Sequence, residues 1–150
     1  MTYYKLRLLI PTPIKRIIRE LSYGTMFSDL SSLISYYRVN HPNRRKPLPK
    51  TVDLRIRLLR HQPISIRTKG TDARVVFEIF VHKFHLPPPK AVSKDALLIL
   101  DLGSNIGCSM AHLACVYPKA SIIGVELDNG NASLCRRNIS RWSGRCQVVE

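Results

Sequence analysis

The sequence predicts an α/β protein: the first β-α-β-α-β part of a doubly wound parallel sheet, preceded by a small basic α+β region. Three observations predict it. From residue 95 onward, apolar runs that read as buried strands alternate with helical patterns. The stretch LDLGSNIGCSMAHLA, residues 100–114, joins one such strand to a helix through two glycines that bracket Ser104, Asn105 and Ile106. The charge is also lopsided. Of a net +14 over 150 residues, residues 1–74 hold 16 Lys/Arg against 4 Asp/Glu, and residues 75–150 hold 8 against 6.

The N-terminal elements follow in order. Thr12 and Pro13 read as N-cap and first residue of a short helix with Ile14, Ile17, Ile18 and Leu21 on its apolar face, stopped by Gly24. Ser28 caps a second helix that places Leu30, Leu33, Ile34 and Tyr37 on one side. VNHPNRRKPLPK, residues 39–50, is a basic linker with three prolines. In VDLRIRLLR the residues alternate, so Val52, Leu54, Ile56 and Leu58 face a core while Arg55 and Arg57 point to solvent or to a ligand. Pro63 breaks this strand, and ISIR is its hairpin partner. Thr71 caps a helix with Asp72 in the first turn, where a negative charge suits the helix dipole. Val75, Val76, Ile79, Phe80 and Lys83 trace its inner face, and the prolines after Leu86 end it. The expected divisions are a basic helical region with its linker over 1–50, a hairpin and helix over 51–90, and a ligand-binding unit from 91 to 150.

In that last unit ALLILDL reads as a strand buried on both faces. Residues 107–117 read as a helix with Met110, Leu113 and Ala114 inward. ASIIGVEL is a second strand, NASLCRRNISRW a second helix and CQVVE the start of a third strand. This order is that of a Rossmann-like sheet, in which ligands bind outside the carboxyl ends of the strands.

The loop at that edge has its own chemistry. Gly103 lets a ligand lie against the chain, and Gly107 is expected to do the same where a helix begins. Asn105 tolerates left-handed geometry better than other non-glycine residues. The spacing is G-x-N-x-G. The dinucleotide fingerprint G-x-G-x-x-G would need its last glycine at Cys108, so a pyrophosphate cradle is poorly matched. Glu126 ends the second strand, 23 residues after Gly103, where a carboxylate can accept hydrogen bonds from two ribose hydroxyls. Leu127 is placed to cover an adenine. Asp101 is placed to orient the loop or an ammonium group. The ligand implied is an adenosine with a short zwitterionic tail. Asp128 is expected to cap the next helix.

The segment ILDLGSNIGCSMAHLACVYPKASIIGVELDNGNASLCRRNI resembles the class I S-adenosylmethionine-dependent methyltransferases and, more narrowly, the FkbM-type family. ISIRTKGTDARVVFEIFVHKFHLPP is similar to that family's lead-in. The resemblance implies that Asp101, Gly103, Ser104, Asn105 and Gly107 line the methionine end of S-adenosyl-L-methionine, that Glu126 binds the ribose and that Leu127 meets the adenine. It further implies methyl transfer, in particular O-methyl transfer, to a small-molecule or glycan acceptor. Asp72 and Phe84 of the lead-in are more simply a helix cap and a core aromatic. An NAD(P)-binding oxidoreductase domain and a basic nucleic-acid-binding module are the alternative readings.

A complete sheet of this family has later strands that shape the acceptor pocket, so the catalytic residues are expected beyond Glu150 and none is named. Residues 1–150 alone are expected to be poorly soluble and catalytically silent. Leu98 to Leu102 would form an open apolar edge, with Ile99, Ile122 or their neighbours exposed on an uncovered face. Hydrophobic content is 45%, sufficient for a core. Cys108, Cys115, Cys135 and Cys146 form no C-x-x-C pair and read as buried thiols in a reducing, cytoplasmic setting. His82 and His85 have no cysteine or acid nearby at ligand spacing, so no metal is expected. No apolar run reaches transmembrane length, and the basic half, which carries apolar faces, reads as a structural layer with no nucleic-acid partner. Without a signal peptide, the N-x-S sequons at Asn131 and Asn138 carry no meaning.

Overall fold

Strand-forming and helix-forming segments alternate along the chain, and long-range polar contacts decide how each helix is turned. The computed structural model describes residues 23–41, 47–88 and 97–150. The helix read from Thr12 to Leu21 and the basic cluster at 42–46 lie outside them.

Residues 23–26, Gly24 among them, are helical. This turn gives way at Phe27, which bridges Ile56 in antiparallel fashion, while Ser28 N–H donates to the Arg55 carbonyl at 3.0 Å. Helix α1, Leu30–Asn40, is capped by Asp29 and not by Ser28. The Asp29 carboxylate accepts both the Ser32 N–H at 2.7 Å and the Ser32 hydroxyl at 3.1 Å, and these bonds hold its pKa below the ordinary value. The Ser28 hydroxyl donates to the Arg55 carbonyl instead. The expected apolar face is also rotated. Leu30, Ile34 and Tyr37 are exposed, whereas Ser32 and Tyr36 are buried and Leu33 packs beside them. Two polar anchors set this rotation: the Tyr36 hydroxyl donates to the Ala73 carbonyl at 2.9 Å, and Ser32 Oγ accepts the Arg55 N–H at 2.8 Å.

Strands β1, Thr51–Arg55, and β2, Pro63–Arg67, form an antiparallel hairpin with Val52 opposite Ile66 and Leu54 opposite Ile64. The alternation holds through Ile56, which is fully buried like Leu54. A 3-10 turn at Arg57–Leu59 then breaks it, so Leu59 is buried and Leu58 turns outward. Pro63 opens β2 rather than ending β1. Its lack of an N–H is tolerated at a strand's first residue. Arg55 is largely solvated, but Arg57 donates to the carbonyls of Thr25 and Phe27.

Helix α2, Asp72–Phe77, runs on into a wider π-type turn, Glu78–His82, and ends where Lys83 adopts a left-handed conformation. Val76 and Phe80 are buried, as the periodicity predicts. Thr71 stands at the cap position but makes no side-chain cap bond.

Strands β3, Leu98–Leu102, β4, Ser121–Val125, and β5, Cys146–Val149, form a parallel sheet in the order β3-β4-β5. Leu100 pairs with Ile123, and Ile123 with Gln147. Helix α3, Cys108–Val116, joins β3 to β4, and helix α4, Asn129–Ile139, joins β4 to β5. Right-handed crossovers deliver both helices to the same face of the sheet. The hairpin packs on the far side of those helices: Leu54, Ile64 and Ile66 share one apolar cluster with Ile106, Cys108, Ala111 and Leu134. Helix α3 is therefore sandwiched, and every residue from Cys108 to Ala114 is buried, not only the three expected inward. The second face of the sheet carries no helix among the described residues. Leu98, Leu100 and Leu102 are 59, 61 and 78% exposed, so β3 is not buried on both faces. Ile122 points to the covered side and is fully buried, and Ile99 packs there too.

Candidate functional site

Alternating left-handed residues build the loop between β3 and α3: Gly103 at φ +77°, Asn105 at φ +49° and Gly107 at φ +82°. The loop is stitched to the end of β4. Gly103 and Ser104 N–H both donate to the Val125 carbonyl, at 2.8 and 3.0 Å, and Gly107 N–H donates to the Ser104 carbonyl at 2.8 Å. Glu126 completes the clamp. One carboxylate oxygen accepts the Asn105 N–H at 2.8 Å and the other accepts the Asp128 N–H at 2.9 Å. Each oxygen keeps a further lone pair for an incoming hydroxyl. Leu127, the next residue, is 86% exposed. Asp128 caps α4 by accepting the Asn131 N–H at 2.7 Å, as expected.

At the exit of β3, the Asp101 carboxylate accepts a hydrogen bond from the Ser109 hydroxyl. Burial raises its pKa, and the Ser109 bond opposes that shift. Asn105 Oδ1 is buried and accepts no hydrogen bond from the described residues. A half-buried carboxylate and an orphaned amide oxygen at one strand end suit a donor-rich cationic group.

The glycines divide the work differently from the sequence reading. A Cβ on Gly103 would meet nothing within 4 Å, so there is open space against the backbone. A Cβ on Gly107 would lie 2.8 Å from Cys135 Sγ and 3.2 Å from its Cα. Gly107 thus carries a requirement in the contact of α3 with α4, beside the ligand approach expected of it. Gly124 in β4 carries a requirement that sequence reasoning missed, since a Cβ there would overlap Met110 Sδ and Ser104 Oγ. Burial pushes the Cys135 thiol up to about 11 and the Cys108 thiol higher still.

Two braces tie the N-terminal layer to this loop. The Arg67 guanidinium donates to Asp72 Oδ1 at 2.8 Å and Oδ2 at 2.9 Å, and reaches Asn131 Oδ1 of α4 at 2.7 Å. Asp72 is accordingly a buried partner of Arg67 and not merely a helix cap. Asn138 of α4 accepts the Ser65 N–H at 2.8 Å and donates to the carbonyls of Ser65 and Ile106, at 3.0 and 2.8 Å. It pairs with the free backbone of β2 and pins the glycine loop from below. Both asparagines were visible in the sequence only as sequon members. Phe84, read as a core aromatic, is 58% exposed beside His82.

His85 finds a partner that the sequence did not indicate: its Nε2 lies 2.9 Å from Nδ1 of His112 in α3. Among the described residues no group of three or more His, Cys, Asp or Glu is placed to hold a metal ion, and no helix is long and apolar enough to cross a membrane. All four cysteines are unpaired thiols.

No family model matches the chain, and no curated protein does. Among solved structures, the crystal structure of P. horikoshii TYW2 in complex with MeSAdo is similar at 17% identity and a TM-score of 0.45 over 70% of this chain. The chain spans 37% of the length of that structure.

Proposed function

We propose that the chain carries the cofactor-binding part of a class I S-adenosylmethionine-dependent methyltransferase. The observation that carries this reading is the left-handed Gly103–Asn105–Gly107 loop clamped by the Glu126 carboxylate at the carboxyl edge of a parallel sheet. The residues suit an adenosyl zwitterion. Glu126 has lone pairs left for two ribose hydroxyls, and exposed Leu127 offers an apolar surface to the adenine. Asp101 and Asn105 Oδ1 would accept the donors of an α-ammonium group. Gly103 leaves room for the ligand to lie on the backbone. When bound, this cofactor supplies a methyl group on a sulfonium, and methyl transfer then depends mostly on positioning and the exclusion of water.

The same loop disfavours an NAD(P)-type cofactor. The N–H groups of Gly103, Ser104, Asn105 and Gly107 are all spent on protein acceptors, which leaves none of them for a diphosphate. Cys108 also fills the place of the third fingerprint glycine with a buried thiol.

The finer reading is an FkbM-type O-methyltransferase acting on a small-molecule or glycan hydroxyl, supported by the residue resemblance over the loop and the lead-in. We assign residues 91–150 to cofactor binding, 51–90 to the hairpin and helix behind it, and 1–50 to a basic layer. The four thiols favour a reducing, cytoplasmic setting. Isothermal titration with S-adenosylhomocysteine and with NAD tests the reading. Saturable binding of the first is expected; tight NAD binding with no response to S-adenosylhomocysteine would overturn it.

A further inference from the structure

At the amino-terminal edge of the sheet, opposite the glycine loop, lies a cleft of about 130 Å³ whose walls include Arg60, Gln62, Cys115, Arg141, Trp142 and Arg145. The arginines come from separate elements: the β1–β2 turn, the 3-10 turn after α4 and the residue before β5. No acidic side chain lines the cleft. The carboxylates of Asp29, Asp53, Asp72, Glu78 and Glu150 pair with other arginines, while Glu126 and Asp128 hold backbone N–H groups. Neither Arg60 nor Arg141 forms an ion pair among the described residues. Arg145 is committed differently. Its guanidinium donates to the carbonyls of Ala114, Tyr117 and Ala120 and so closes the C-terminus of α3. It contributes charge to the wall, but its fork is occupied.

The half-buried Cys115 thiol marks where these fields converge. Burial raises its pKa, and Arg60, Arg145 and Arg141 each act to lower it. Guanidinium groups gathered without a counter-charge repel one another, and a bound oxyanion removes that repulsion. Their planar donor forks match phosphate oxygens. The volume is several times the roughly 10–15 Å³ of such space that one water needs, so the cleft admits a phosphate group.

We propose that this cleft binds a phosphate group, free or as a monoester, held by Arg60 and Arg141 with the Gln62 amide as an added donor and Arg145 as a fixed positive wall. The site is separate from the glycine loop and does not depend on the function proposed above.

Cys115 provides a local readout. The rate of its alkylation by iodoacetamide is followed by peptide mass spectrometry on the 150-residue chain, at fixed pH and ionic strength, in chloride, phosphate, pyrophosphate or a short single-stranded RNA. Phosphate is expected to slow Cys115 severalfold while leaving buried Cys108, Cys135 and Cys146 unchanged. The R60Q/R141Q double variant should lose this protection, and R60K should retain part of it. Both arginines are exposed, so the variants are expected to fold, as circular dichroism would verify. Absence of protection by phosphate, equal protection in the double variant, or protection by RNA alone would overturn the proposal.

Discussion

Glu126 shapes the fold and, in the function proposed above, would also hold the ligand. Its two oxygens hold the Asn105 and Asp128 N–H groups, so the acid that faces the expected ribose also shapes the loop. Glu126→Ala should weaken S-adenosylhomocysteine binding more than Asp128→Ala, because each hydrogen bond to a charged acceptor is worth about 1.5–3 kcal/mol. Equal, small losses by calorimetry would mean that Glu126 is only a surface acid. The two loop glycines should separate in the same way. Gly107→Ala forces a Cβ against Cys135 and is expected to cost about 1–3 kcal/mol in urea unfolding. Gly103→Ala meets only the left-handed strain, about 1–2 kcal/mol, and should act mainly on binding. The placement of Asp101, Asn105 and Glu126 at one edge of the sheet was legible in the sequence because it follows from local order along a strand–loop–helix unit. Asn138, Gly124 and Arg145 were not, since their partners lie across the fold: Asn138 bonds Ser65, 73 residues away.

Helices and strands differ in what their patterns reveal. The β1–β2 alternation is readable through Ile56 because each residue's face follows from the pleat. It fails at Leu58 because the 3-10 turn changes the period. Helix α1 is turned by the Tyr36–Ala73 and Ser32–Arg55 bonds, which its own residues do not announce. The contact of α2 and its following turn with α3 makes a testable prediction about pH. Burial lowers His85 and His112 to about 4, with the charge on Lys83 acting in the same direction. Their folded pKa lies below the unfolded value of about 6.5. The neutral pair therefore stabilises the fold fully above that value, and the contribution is lost as pH falls toward 4. Urea midpoints should drop across this window in the natural sequence and drop less in an H85Q/H112Q variant. Identical slopes would show that the pair does not titrate as a buried unit.

At the scale of the molecule, the sheet is covered on one face only among the described residues, with α3 and α4 between it and the hairpin. Alternating strands and helices made the parallel unit legible. The layering was not, because nothing local tells α3 that its outer side will meet the hairpin. Leu98, Leu100 and Leu102 lie on the uncovered face, and β3 is an edge strand among the described residues. Exposed apolar edges recruit other chains. The 150-residue chain should therefore associate with rising concentration in sedimentation velocity, and Leu100→Lys should shift it toward monomer; a concentration-independent monomer would show that this face is inert. The basic half contributes Leu54, Ile56, Ile64 and Ile66 to the central cluster, which fits a structural layer. Sub-micromolar RNA binding with a steep salt slope would contradict that assignment.

The claim that the Gly103–Gly107 loop and Glu126 form an adenosyl-zwitterion site is tested most directly by nuclear magnetic resonance of the labelled chain during titration with S-adenosylhomocysteine. The account predicts saturable shifts concentrated at the amides of Gly103, Asn105, Glu126 and Leu127, absent in Glu126→Ala and not reproduced by NAD. Shifts of those amides with NAD alone, or none with S-adenosylhomocysteine in a folded sample, would contradict it.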